Sequence, residues 1–336
     1  MINRVNWKII QAYLLYRREV DQLSNSSMRL EETLLRHLLE WMEEKPFEKA
    51  PGIRPTLPEY MLTIRLDGKE ETLSFSYIKK TIRAAYRFFG WVIKHRIGYR
   101  DITQSWLDTL KPSRMPIEYK EHEAVTLDEI RAIAKAPVFT IRDKRIRAAA
   151  VLWFLSGIRV GAFVTLPIMA VDLDNLKIKQ WPRLGVRTKF KKHATTDILN
   201  IPELLDVVRE WDKEVRAALP DKGLWFAPYS PETGKIDNKI TRAGEYRYQR
   251  PAKDLKVWLQ RVGLPYHSPH KFRHGFAVIA LKNAKDIQAL KAVSQTLMHS
   301  NLSITDGVYG ILSQIDVSDK MAEIGQKITS ANNNKH

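Results

Sequence analysis

Three short segments of the chain contain residues that could act together on an anion. The first surrounds Arg159, which lies among apolar residues and glycines between Leu155 and Ala162. Burying a guanidinium is costly unless an anion or a carboxylate meets it. Taken alone, Arg159 is therefore compatible with a structural ion pair as well as with an anion-binding site.

The second segment runs from Ser268 to Ala277. If a helix begins just after Pro269, then His270 and Arg273 are three positions apart and share one face. The free N–H groups at a helix N-terminus already favour an anion. An imidazole and a guanidinium at that point indicate a phosphate site, and a capped surface helix with incidental charges is the structural alternative.

The third segment joins His299 to Tyr309 and is rich in Ser, Asn, Thr and Gly. A single tyrosine is usually a half-buried packing residue. Its hydroxyl has an ordinary pKa of about 10 and is a weak nucleophile at neutral pH. Neighbouring cations favour the phenolate, so this segment could instead hold a tyrosine nucleophile near a substrate.

Together, the three segments indicate cleavage of a phosphodiester. Two arginines can hold its non-bridging oxygens with a bidentate geometry that lysine cannot copy. They also stabilise the charge that develops in the transition state. The leaving 5′-oxygen then needs a proton, which a lysine or a histidine can supply.

The overall composition favours a polyanionic partner. The 336 residues carry a formal net charge of +17, and 44% of them are hydrophobic, enough for a core. Nucleic acid is the first candidate partner, an anionic membrane surface is the second, and a merely well-solvated basic protein is the third.

Cysteine is absent, which excludes disulfides, thiolate zinc sites and cysteine nucleophiles. The N-terminus is too charged for a signal peptide, and no apolar run is long enough to span a membrane. We therefore expect a soluble, cytoplasmic protein.

Helical patterns dominate the N-terminal part, over residues 4–22, from a cap at Ser27 to Trp41, and over about 74–96. The third pattern has an apolar stripe made by Ile78, Ile82, Ala85, Phe89 and Val92. A separate basic stripe on the same helix contains Lys80, Arg83, Arg87 and Lys94. This basic stripe matches phosphate spacing along a groove, although such a face can also be merely solvated.

A proline-containing stretch, residues 111–124, separates two parts of the chain. Thr126 and Glu129 then form a capping box that starts the first helix after it. Further helices are predicted over 127–135, 144–156, 203–218, about 251–262 and after Pro269. Short extended runs at 177–181, 186–188 and 196–201 predict a small antiparallel sheet. The expected fold class is mainly α with this one sheet.

A very basic turn at residues 189–194 lies between the first two segments and forms a predicted hairpin of the sheet. The three segments, in this order and with this basic hairpin between them, resemble the catalytic domain of the tyrosine recombinases, or phage integrases. The resemblance covers roughly residues 125–315. It implies a catalytic domain over 125–336, with a C-terminal tail from about 312 and the end of a linker at 119–124. Residues 1–118 are more loosely similar to the family's helical core-binding domain, which completes a clamp around duplex DNA.

The resemblance also implies roles for the candidate residues. Tyr309 would attack the scissile phosphate and form a 3′-phosphotyrosine, while Arg159 and Arg273 bind the phosphate. His270 and His299 would assist by hydrogen bonding and proton transfer. Because the phosphotyrosine conserves the bond energy, neither ATP nor a metal is required.

A lysine of the hairpin would protonate the 5′-hydroxyl. Lys189 fits best because it follows Thr188 at the end of an extended run, and Lys191 and Lys192 are the alternatives and further DNA contacts. One position differs from the family's common pattern: Ala162 stands where many members have a glutamate.

The resemblance implies double-stranded DNA as partner and a tetramer on two duplexes, of the kind that mobile genetic elements encode. The tail residues Met321, Ile324 and Ile328 could dock into a neighbouring protomer or onto their own domain. A type IB topoisomerase-like strand transferase and a DNA-binding protein without catalysis are the alternatives. A metal-dependent nuclease is disfavoured because no carboxylate cluster accompanies the histidines.

Overall fold

The chain divides into two compact units, residues 1–118 and 119–336. A computed structural model describes most of both units, and the described ranges are 2–64, 72–96, 98–111, 123–284 and 286–298. No helix within these ranges is both long and apolar enough to cross a membrane.

The described part of the first unit is helical. Its α-helices are α1 (Arg4–Glu19), α2 (Asn25–Met42), α3 (Leu57–Thr63), α4 (Phe75–His95) and α5 (Gln104–Thr109). The five apolar stripe residues of α4 are all buried, as predicted. Around them lies an aromatic core in which the rings of Phe88 and Phe89 contact Phe47 edge-on.

The predicted cap at Ser27 is wrong by three positions. Ser24 caps α2, because its hydroxyl accepts a hydrogen bond from the Ser27 amide at 3.3 Å. Three nearby serines offer equivalent hydroxyls, and only the one with extended backbone can serve as N-cap.

The second unit combines helices with one small sheet. Its helices are α6 (Leu127–Lys135), α7 (Ile141–Ser156), α8 (Val160–Phe163), α9 (Pro202–Ala218), α10 (Arg250–Arg261), α11 (Pro269–Asn283) and α12 (Ile287–Thr296). The capping box of α6 is present, with the Thr126 amide donating to the Glu129 carboxylate at 2.7 Å. Its strands are β1 (Val171–Asp172), β2 (Lys177–Gln180) and β3 (Ala194–Asp197).

Helix α7 forms the centre of this unit. Every residue from Ala148 to Ser156 is buried, so this C-terminal half of α7 is covered on all sides, and the helix contacts α6, α9, α10 and α11. On α11, a Cβ at Gly275 would lie 2.8 Å from the Phe154 ring and closer still to the Val125 carbonyl. Glycine at this position therefore permits the close approach of α11 to α7.

The sheet is antiparallel, in the order β1-β2-β3, with Val171 opposite Ile178 and Ile178 opposite Thr196. The fold class, mainly α with a small antiparallel sheet, is confirmed. The strand predicted at 186–188 is wrong. The Arg187 amide donates to the Thr165 hydroxyl at 2.9 Å instead of to a strand, and the short β1 completes the sheet.

A buried carboxylate fixes α10 against α7. The Asp254 carboxylate forms ion pairs with three guanidinium groups, those of Arg142 at 2.8 Å, Arg145 at 2.5 Å and Arg250 at 3.1 Å. Arg145 itself is only 2% exposed. Burial lowers the pKa of the Arg145 guanidinium to about 10, although the Asp254 carboxylate acts in the opposite direction.

We predict that Asp254→Asn lowers the free energy of unfolding by about 3 kcal/mol, because it leaves a buried guanidinium without its counter-charge. Asp128→Asn is the matched control, since that side chain is 96% exposed and its ion pair with Arg131 is long. The control should change stability by less than about 1 kcal/mol. Urea unfolding followed by circular dichroism measures both, and equal effects would contradict the structural role of Asp254.

Candidate active site

The turn between α7 and α8 presents Arg159. Helix α7 ends at Ser156, and Gly157 caps it in the left-handed conformation at φ 59°. A Cβ at Gly157 would lie 2.6 Å from the Phe276 ring, so both the backbone and the space require glycine. Ile158 is buried in the core, and Arg159 follows as the half-exposed N-cap of α8.

Helix α11 begins at Pro269, one position before the predicted start, and its first turn presents His270 and Arg273 on one side. His270 is exposed, whereas Arg273 is 3% exposed. The Arg273 guanidinium donates to the carbonyl of Gly157 and to the carbonyl of Leu297, the latter at 2.7 Å. Arg273 thus ties the Arg159 turn to the end of α12.

The segment that leads to the predicted nucleophile is anchored by Leu297. This side chain is fully buried and packs with Phe276 and Ala277 of α11. Its amide donates to the Val293 carbonyl at 3.0 Å, at the C-terminal end of α12. His299 and Tyr309 follow, and both lie outside the described residues.

The hairpin between β2 and β3 carries the candidate lysines. Its turn is closed by the Thr188 hydroxyl, which donates to the Lys192 carbonyl at 2.6 Å. Lys189 lines the same cavity as the two arginines, whereas Lys191 and Lys192 are exposed outside it. This arrangement supports Lys189 over the other two lysines.

A single cavity of about 310 Å³ collects four of the six predicted catalytic residues: Arg159, Lys189, His270 and Arg273. Its volume is roughly ten times the ~30 Å³ that one water occupies in the liquid, so a phosphodiester group has room. Gln180 and Arg187 also line it, although no motif in the sequence marks either residue. Arg187 lay in a run interpreted as a strand, so its basic side chain carried no separate signal.

The basic stripe of α4 divides into two kinds of residue. Lys80, Arg83 and Lys94 are exposed and make no ion pair within the described residues. Arg87 instead donates to the Glu31 carboxylate at 2.8 Å, and Glu31 is 5% exposed. The pKa of the adjacent Tyr13 hydroxyl is raised, mainly because the group is buried and secondly because of the negative charge of Glu31. Arg87 therefore balances a buried carboxylate and is a weaker candidate for phosphate contact.

A family model and several known proteins are similar to this chain. Residues 123–314 match the model of the phage integrase family. Tyrosine recombinase XerC of Roseiflexus castenholzii is 26% identical over 248 residues, covering 73% of this chain and 71% of its own length. Tyrosine recombinase XerA of Thermococcus kodakarensis is 24% identical over 287 residues, covering 85% of both chains.

Solved structures show the same fold at low identity. The XerH site-specific recombinase, bound to a palindromic difH substrate in a post-cleavage complex, superposes with a TM-score of 0.61 and 15% identity over 93% of this chain and 83% of its own. The Tn1549 transposon integrase, in complex with transposon right end DNA, gives a TM-score of 0.59 and 16% identity over 94% and 99%.

Fold and site thus define a mainly helical protein with a pocket lined by cationic side chains. Since the family model matches more than half of its residues, the chain belongs to the phage integrase family of tyrosine recombinases.

We predict that the basic residues of α4 respond differently to substitution. Lys80→Ala and Arg83→Ala should each reduce the slope of log affinity for DNA against log salt by about 0.9 and leave stability unchanged. Arg87→Ala should lower the free energy of unfolding by about 1–3 kcal/mol, because it leaves Glu31 buried without its partner.

Salt titrations of DNA binding and urea unfolding measure these two effects on the same proteins. Glu31→Gln combined with Arg87→Ala is the control, since removing both charges should restore much of the stability. A salt slope changed only by Arg87→Ala would contradict this division of the stripe.

Proposed function

We propose that this site-specific DNA recombinase cleaves and rejoins strands through Tyr309, with a 3′-phosphotyrosine intermediate. The observation that carries the proposal is the cavity shared by Arg159, Lys189, His270 and Arg273. Arg273 also binds the carbonyl of Leu297, two residues before His299, so the pocket is tied to the segment that leads to Tyr309.

The proposed reaction exchanges one phosphodiester for another. The Tyr309 oxygen attacks phosphorus as its proton passes to a nearby base, and the bond between phosphorus and the 5′-oxygen breaks. Lys189 gives a proton to that 5′-oxygen, which leaves as a hydroxyl. Rejoining is the reverse reaction, in which a 5′-hydroxyl attacks the phosphotyrosine and releases the phenol.

Arg273 is suited to hold the phosphate without moving. Its guanidinium is always charged, and its planar set of five N–H donors matches the geometry of phosphate oxygens. The carbonyls fix the plane of the group before substrate arrives, which is the preorganisation that electrostatic catalysis needs. Arg159 and His270, which are more exposed, would complete the contacts, and His299 would add a further hydrogen bond.

Double-stranded DNA is the proposed substrate and partner. The Tn1549 integrase and XerH were solved with DNA, which supports this assignment and the use of such chemistry by a mobile element. We propose the first unit as a DNA-binding domain, with Lys80, Arg83 and Lys94 on phosphates and Lys191 and Lys192 as further contacts. A DNA substrate also favours the expected cytoplasmic location.

Assembly into a tetramer with exchange of the C-terminal tail belongs to the same proposal. The tail residues Met321, Ile324 and Ile328 lie outside the described residues. The relatives named above are recombinases, which favours a recombinase over the topoisomerase-like and non-catalytic alternatives. Ala162, at the position where many family members have a glutamate, lines the cavity.

We predict that the chain forms a covalent protein–DNA adduct in EDTA and that Tyr309→Phe abolishes it. The DNA would first be selected from randomised duplexes by the Tyr309→Phe protein, and the chosen site would then carry a nick beside the cleavage position to trap the adduct. Arg159→Ala and Arg273→Ala should lose at least about 100-fold in cleavage while largely keeping DNA affinity.

Denaturing gels with labelled DNA measure the adduct. Tyr266→Phe is the matched control, because Tyr266 is 41% exposed and lies outside the residues that line the cavity. An adduct that survives Tyr309→Phe would refute this tyrosine as nucleophile.

We also predict that Lys189 is the general acid. Lys189→Ala should lose cleavage of ordinary DNA by about 100-fold or more, whereas Lys191→Ala and Lys192→Ala should mainly weaken binding. A substrate with sulfur in place of the bridging 5′-oxygen should restore cleavage by Lys189→Ala, because a thiolate leaves without a proton. If sulfur instead rescues Lys191→Ala or Lys192→Ala selectively, the assignment moves to that lysine.

A further inference from the structure

The apex of the β2–β3 hairpin exposes a phenylalanine. Phe190 is 81% exposed, the highest value among the large apolar side chains that the structure describes. A ring this exposed forgoes the free energy of burial, and contact with a partner would recover it. This position lies directly beside Lys189, which lines the phosphate cavity.

The turn itself holds the ring outward. Phe190 has φ 59° and Lys191 has φ 52°, and both values lie in the left-handed region that L-residues seldom adopt. The Lys191 amide donates to the Thr188 carbonyl at 3.2 Å, and the Thr188 hydroxyl closes the turn at Lys192. Exposure of Phe190 is therefore a consequence of a hydrogen-bonded turn and not of a loose loop.

Three lysines lie beside Phe190 in the hairpin. The Lys189 ammonium lies 5.1 Å from the centre of the Phe190 ring, and Lys191 and Lys192 are exposed just after it. Farther down the hairpin, Trp181 stacks on His193 at 4.8 Å, with the Arg183 guanidinium 4.4 Å from the Trp181 ring. An apolar tip framed by positive charges matches a DNA groove, where phosphates flank sugars and bases.

The position of Lys189 in the cavity determines where Phe190 would contact DNA. If the scissile phosphate occupies the cavity, Phe190 is within reach of the nucleotides beside that phosphate, because its ring lies 5.1 Å from the ammonium of the cavity-lining Lys189. Apolar side chains that enter the minor groove commonly wedge between base steps and partly unstack them. The hairpin lysines alone would contact only phosphates, whereas the Phe190 ring can also wedge between bases.

We propose that Phe190 enters the minor groove next to the scissile phosphate and wedges into the adjacent base step. This inference rests on the proposed function, because it uses the phosphate in the cavity to locate the step. Partial unstacking would loosen the strand that ends in the 5′-hydroxyl, which has to leave its partner strand before it can be exchanged.

The test uses the full-length Tyr309→Phe protein on the selected duplex, with 2-aminopurine placed at each position around the cleavage site. Binding should increase the emission of the probe at the step beside the scissile phosphate, because the base loses its stacking neighbour. Adding Phe190→Ala should abolish this increase and weaken binding about tenfold. Phe190→Trp should preserve both.

Phe139→Ala is the matched control, since Phe139 is also an exposed phenylalanine of this unit, at 73%. It should leave emission and affinity unchanged. Circular dichroism melting of Phe190→Ala should coincide with that of the parent, which separates a DNA effect from a folding defect.

A second measurement uses the active enzyme. Cleavage by Phe190→Ala should be slow on paired DNA and should recover when the step beside the scissile phosphate is mismatched, because a mismatch is already partly unstacked. Emission that increases equally with and without Phe190 would overturn the inference. So would Phe190-dependent binding to anionic lipid vesicles with no effect on DNA. Failure of the proposed function looks different, since the wild-type chain would then form no adduct at all.

Discussion

The geometry of the site depends on the two carbonyls that the buried Arg273 guanidinium contacts. These carbonyls belong to Gly157 and Leu297, which are 116 and 24 positions away in the sequence. A guanidinium at 3% exposure is tolerable only if such acceptors satisfy it. One side chain therefore brings together the turn that presents Arg159 and the segment that leads to Tyr309.

The packing of α7 makes that arrangement possible. The buried residues of α7 from Ala148 to Ser156 give α11 a fixed surface to pack on, and Gly275 lets the two helices approach closely. At the end of α7, Gly157 turns the chain under Phe276 and Leu297, where no side chain would fit. The packing of α7 and α11 thus determines where the turn that carries Arg159 lies in the cationic pocket.

Sequence reasoning succeeded where local signals agree with tertiary structure. Helices α4 and α6 were predictable because their stripes and caps are local. The first two motifs and Lys189 share one cavity, and only the family resemblance supplied the long-range information that joins them. Sequence reasoning failed where contacts between residues far apart in the sequence determine the local structure. Residues 186–188 have strand propensity, yet Thr165 captures the Arg187 amide. The pairing of Arg87 with Glu31, 56 positions away, has no local signal either.

The basic residues of this chain differ in function according to their partners. Arg145 and Arg87 meet the buried carboxylates Asp254 and Glu31, so their charges stabilise the fold and add little to the surface potential. Arg273 contacts two neutral carbonyls, which fix its position without cancelling its charge. The acceptor that each arginine meets therefore says more about its part in the molecule than the net charge of +17 does.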